Sequence, residues 1–165
     1  EFDRLNFVSA YPGGSNGNLS FRFKDQENPF IITGTGLTSK TGLTDDCFVK
    51  VISVNLLDKI IEAEGQKEPS SESMAHFAIY QARPEIMAVF HGHSDEILKQ
   101  AARLNLRQTA KKEPYGTSEL VQSILDILGQ ENFVIMKNHR FLALGSTMTA
   151  AGRLTLEIHQ KLSLK

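Results

Sequence analysis

The sequence predicts an α/β protein in which helices pack in layers on a mixed, largely antiparallel sheet. Three observations carry this. Short segments alternate apolar and polar residues, or run apolar, between clusters of turn formers, as strands do. Longer segments repeat apolar residues at helical spacing. The two kinds are mixed without the strict strand–helix–strand rhythm of a parallel sheet.

Residues 11–18 (YPGGSNGN) gather three glycines and two asparagines around a proline, a loop whose backbone needs positive φ or close approach to another group. Residues 19–24 alternate, 29–33 form a short apolar run and 48–54 alternate again, which predicts antiparallel strands. Ser70 or Ser71 caps a helix beginning near Glu72, because Met74, Phe77, Ala78 and Ala82 recur at helical spacing until Pro84 stops it. Residues 87–90 read as a buried strand that delivers His91 and His93 at its end. Residues 94–104 and 117–128 are helical by periodicity, with Gly129 ending the second. Residues 133–136 and 141–144 are short apolar strands, and 147–162 is a final amphipathic helix.

The 165 residues support one domain with a real core, and no linker or repeat divides residues 1–165. With 18 Lys+Arg against 19 Asp+Glu, the chain lacks the basic field that holds nucleic acid or an anionic membrane, so a small-molecule partner is expected. One cysteine, Cys47, forms neither an internal disulfide nor a thiolate metal cage, and a reducing, cytoplasmic setting is the expectation. No apolar run reaches the roughly 18 residues of a membrane span.

His91-Gly92-His93 is the most informative tripeptide. Residues two apart on a strand share a face and lie roughly 6.5 Å apart, so two imidazoles can converge on one ion at about 2.0 to 2.1 Å. Equally, they can be polar residues at a strand end bonded to backbone or water. A third histidine, His139, ends another short buried strand, and three imidazoles with an open position make a catalytic zinc site, whereas structural sites are usually closed by cysteines. His139 can instead be a turn residue. His76 and His159 read as structural. Glu72, behind Ser70 and Ser71 in a first helical turn, either favours the helix dipole or serves as a metal ligand or general base. The two serines and the helix amides suit a phosphate. Segments 17–20 (GNLS) and 34–36 (GTG) carry the ingredients of an anion nest, or of an ordinary turn. Residues 36–41 (GLTSKT) fail as a nucleotide-binding P-loop because Ser39 stands where a glycine must precede the lysine.

GNLS, TGTG, PSSE followed by His76 and Tyr80 up to HGHS, YGTSEL, and NH before a glycine-bearing strand and a long helix occur here in one order. This combination resembles the class II aldolase/adducin family over nearly the whole chain, from Gly17 to Leu162. The resemblance implies a three-layer α/β/α sandwich, usually a cyclic homotetramer with sites at subunit interfaces. It implies a zinc-dependent enzyme, or one using another divalent ion, that acts on a phosphorylated sugar. Matched motif by motif, His91, His93 and His139 fall on the metal ligands, Glu72 on the acid/base carboxylate, and Asn18, Thr35, Gly36, Ser70 and Ser71 on the phosphate site. Tyr115 is the nearest phenol for the proton donor.

Three departures stand out. Arg140 replaces the glycine that commonly follows the third histidine, which either alters the turn or places a guanidinium near an anionic substrate. The stretch between His93 and Tyr115 has no tyrosine, and the sequence ends at Lys165 without the tail that closes over a neighbouring site in several relatives. The expected chemistry is aldol cleavage through a metal-stabilised enediolate, with Glu72 moving the proton. Epimerisation or dehydration at the same site, and a non-catalytic scaffold like adducin, are the alternatives. A generic zinc hydrolase leaves the phosphate pattern unexplained.

Overall fold

The computed structural model of the protein describes residues 4–5, 7–24, 30–138 and 140–163. Strands β1 (Ala10–Tyr11) and β2 (Gly14–Ser15) form a small hairpin. Strands β3 (Asn18–Phe21), β4 (Phe30–Thr33), β5 (Phe48–Asn55), β6 (Ile60–Gly65), β7 (Ala88–Gly92), β8 (Arg107–Gln108), β9 (Phe133–Met136) and β10 (Arg140–Gly145) build the main sheet in the order β6-β5-β4-β3-β7-β10-β9-β8. Every neighbouring pair is antiparallel except β8 with β9, so the sheet is mixed and mostly antiparallel, as the sequence implies.

The strand period of two sends alternate side chains to opposite faces, and β9 shows this directly. Its Val134 and Met136 join one core with α1 (Ser73–Ala82) and α3 (Ser118–Leu128), while Phe133 and Ile135 join a second core with α2 (Asp95–Lys99) and α4 (Met148–Leu162). Helices on both faces make three layers. In α3 the buried Leu120, Val121, Ile124 and Leu128 recur one turn apart, and each such side chain contributes about 1.5–3 kcal/mol on burial. Thr117, Ser94 and Thr147 cap α3, α2 and α4, their hydroxyls accepting from Leu120, Ile97 and Ala150 N–H.

Three expectations shift. Glu72, not a serine, stands at the start of α1, and its side chain makes no cap bond, because that carboxylate is engaged elsewhere. The helix at 94–104 is regular only over Asp95–Lys99; beyond it the Gln100 and Ala101 amides reach the Ile97 and Leu98 carbonyls in tighter turns, and Asn105 ends the winding at φ 52°. Strand β6 was not foreseen, since it is an edge strand exposed along most of its length. Pro29 of the second expected strand lies outside the described residues. No helix among the described residues is long and apolar enough to cross a membrane.

Candidate active site

The site is assembled on adjacent central strands. Asn18 on β3 pairs directly with His91 on β7, whose other neighbour is Leu142 on β10; Arg140 begins β10. Two glycines make this approach possible. A Cβ on Gly92 would lie 2.5 Å from the Phe141 ring, and a Cβ on Gly17, at φ +76°, would lie 2.8 Å from the His91 carbonyl.

Glu72 reaches this strand group from the start of α1, at 4% exposure. Its Oε2 accepts a hydrogen bond of 2.6 Å from Asn18 Nδ2 and lies 3.2 Å from His91 Nε2. Its Oε1 is buried, has no hydrogen-bond partner among the described residues, and lies 3.9 Å from Arg140 Nη1. The same Nη1 stands 3.5 Å from His91 Nε2. Burial lowers the Arg140 pKa below its ordinary value, while Glu72 pulls it the other way.

The loops come to the same place. Gly34 bridges to Pro69 and the Thr35 amide donates to the Glu68 carbonyl at 2.9 Å, which holds the TGTG turn against the PSSE segment. Asn18, Thr35, Gly36, Ser70, Ser71, Glu72 and Tyr115 thereby line one cavity of about 490 Å³, together with Lys40 and Arg140. The Lys40 ammonium donates to Ser15 Oγ at 2.8 Å. Among the described lining residues two cations face one carboxylate, and the cavity holds one positive charge in excess. Tyr115 is 64% exposed.

Beneath Glu72, one turn along α1, His76 is fully buried with Nδ1 2.7 Å from Ser20 Oγ, which in turn lies 2.7 Å from the Tyr80 hydroxyl. Burial lowers the His76 pKa to about 3; the nearby Glu72 opposes the shift and His91 adds to it. Burial also pushes the Tyr80 phenol up, against its bond to Ser20 and the Arg22 guanidinium 4.6 Å above its ring. Both groups are therefore neutral near pH 7 and form a rigid floor.

The remaining histidines divide. The His93 ring centroid is 5.6 Å from that of His91, and His93 lines a separate cavity with His159, Asp95 and Glu96. His139 lies outside the described residues. The donor chemistry suits a divalent ion, because an imidazole nitrogen meets a carboxylate beside a second, partnerless oxygen. Among the described residues alone, no three His, Cys, Asp or Glu side chains form a metal cluster. Sequence reasoning missed Lys40, set aside with the failed P-loop, although a lysine in a hydroxyl-rich turn was itself a signal.

The profile of the class II aldolase and adducin N-terminal domain matches residues 3–164. The chain belongs to the class II aldolase/adducin family. It is 30% identical over 162 residues to the L-fuculose phosphate aldolase of Methanococcus maripaludis, covering 90% of this chain and 83% of the relative. It is also 30% identical over 115 residues to the 3-oxo-tetronate 4-phosphate decarboxylase of Haemophilus influenzae, covering 70% of this chain and 50% of that one. A solved L-fuculose 1-phosphate aldolase superposes with a TM-score of 0.77 at 21% identity, over 99% of this chain and 78% of that one, and so shares the fold of this class II aldolase family member.

Proposed function

We propose that the protein is a metal-dependent lyase of phosphorylated sugars, an aldolase joining or splitting a ketose phosphate and an aldehyde. The observation that carries this reading is the buried Glu72 Oε1, partnerless among the described residues, facing a cavity lined by phosphate-type loops. The names of the two aldolase relatives and of the decarboxylase, all acting on sugar or sugar-acid phosphates, agree with it. The two carboxylate oxygens have separate tasks. Asn18 fixes Oε2, which orients Oε1 toward the substrate carbon.

Ser70, Ser71, Thr35, Gly36 and Asn18 hold the phosphate, remote from the reacting carbons, so that its binding energy serves positioning. In the synthesis direction Glu72 takes a proton from the hydroxyl-bearing carbon beside the ketone. The electron pair released forms the new bond to the aldehyde carbon, and the Tyr115 hydroxyl protonates the resulting alkoxide. A divalent ion such as Zn²⁺, held by His91, His93 and His139, would supply Lewis acidity at the carbonyl oxygen. A homotetramer, carried over from the family resemblance, belongs to the same reading, and light scattering tests it.

The decisive experiment follows aldol synthesis from dihydroxyacetone phosphate with a panel of aldehydes, with product analysis to separate epimerisation and dehydration. Glu72→Gln is expected to lower turnover by roughly 10²–10⁴-fold, the span of general acid–base catalysis, and chelator to abolish it. Activity indifferent to both would overturn the proposed mechanism, whereas no activity on any of these substrates together with no stoichiometric metal would favour a non-catalytic scaffold.

A further inference from the structure

The reading above leaves Arg140 without a task, and its surroundings call for one. The residue is anchored in the sheet through the pairing of Arg140 with Met136, so its side chain starts from fixed backbone. The side chain is 21% exposed, lines the cavity, and has a buried Nε with no hydrogen-bond partner among the described residues. Its Nη1 reaches neither Glu72 Oε1 at 3.9 Å nor His91 Nε2 at 3.5 Å within ordinary hydrogen-bond length. A guanidinium presents five N–H donors in a planar fork, and one so poorly satisfied by the protein is costly unless a ligand completes it.

Charge points the same way. Lys40 and Arg140 exceed Glu72 by one positive charge. A divalent ion adds two positive charges and a phosphate monoester brings about −1.5 to −2 at neutral pH, so a simple sugar phosphate leaves roughly the same surplus in a partly desolvated cavity. One further monoanion removes it. A carboxylate has the matching charge, and its two oxygens accept the fork in parallel.

Resting on the sugar-phosphate reading, we infer that the substrate is a phosphorylated sugar acid whose carboxylate is read by Arg140, at the end of the cavity beside His91 and Glu72. Lys40 and the serine loop keep the phosphate, and the two anionic groups fix the direction in which the carbon chain lies. Arg140 is then the residue that determines specificity.

The test measures binding, by titration calorimetry on the full chain, of D-erythronate 4-phosphate and of erythritol 4-phosphate, which differ at one terminal carboxylate. Both are titrated into zinc-loaded and into chelator-treated protein. The native chain is expected to prefer the acid by roughly tenfold to a hundredfold in both states, as charge-assisted hydrogen bonds provide. Arg140→Gln and Arg140→Gly are expected to bring the two affinities to within about threefold of one another. Arg140→Gln retains most of the side-chain volume, so it decides the matter if the glycine variant does not fold. Equal affinities in the native chain would overturn this inference and leave the sugar-phosphate reading standing. A preference that persists in both variants would place the carboxylate elsewhere and overturn the role of Arg140. Failure of both probes to bind would overturn both readings.

Discussion

His91 and His93 stand two residues apart in one tripeptide, and the structure treats them differently. His91 is the penultimate residue of β7, 1% exposed, bracketed by Asn18 on one strand and Leu142 on another, with its ring against Glu72. His93 lies just past the strand end, half-buried, tied by its backbone N–H to the Phe7 carbonyl and facing the cavity of His159. Sharing a face by period two requires that the strand continue, and β7 stops at Gly92. The comparison teaches that a ligand pair read from spacing has one rigid member and one whose placement depends on the loop that follows.

The sharpest way to break this comparison is metal content. Under the proposed function, His91→Ala and His93→Ala each lower zinc affinity by more than the roughly 10–100-fold that follows loss of an outer partner, and elemental analysis with competition titration reads it. Full retention of zinc by the His93 variant would separate the pair for good. A smaller effect tests the hinge between them. Gly92→Ala drives a methyl into Phe141, which is stacked on Phe133 at 5.1 Å and edge-on to Phe7 at 5.6 Å and so has nowhere to swing. The expected cost is about 1–3 kcal/mol in urea unfolding, and an unchanged midpoint would show that the ring yields.

An effect spread over several pH units, small at any one pH step, concerns the floor beneath His91. His76 has a folded pKa of about 3 against an ordinary 6.5, so between these values the unfolded chain binds a proton that the folded chain refuses. Stability from this residue is complete above the ordinary value and is lost on acidification toward the folded one, by at most about 1.4 kcal/mol per pH unit. His76→Asn should flatten the dependence of the urea midpoint on pH over that window. An unaltered slope would mean that other groups account for the acid sensitivity.

The central strands were legible in the sequence as short apolar or alternating runs between turn formers, and most helices because their apolar residues recur at helical spacing and their ends carry Thr, Ser and Gly signals. Strand β6 was not, because Ile61 and Ala63 alternate with Glu62 and Glu64 over only four residues of an exposed edge, too short a pattern to single out. In the candidate site, Glu72, Asn18, the serines and the TGTG turn were singled out from motifs, yet the contact that organises them, Asn18 Nδ2 to Glu72 Oε2, spans 54 residues of sequence and has no local signature. Arg140 was noticed as a departure from the family pattern, and only the fold shows it against His91 and Glu72. The meeting of His91 and His93 with His139 lies beyond the described residues.

Asn18, His91 and Arg140 project from β3, β7 and β10, three consecutive strands in the interior of the sheet. His91 is paired on both sides, and Asn18 and Arg140 are each paired on one, to His91 and to Met136, so an exchanged side chain is poorly accommodated by drift of the main chain. New selectivity in such an enzyme must therefore arise at side-chain tips while the frame stays constant. That arrangement favours divergence by single substitutions, each one altering what is accepted without disturbing how the reacting groups are aligned.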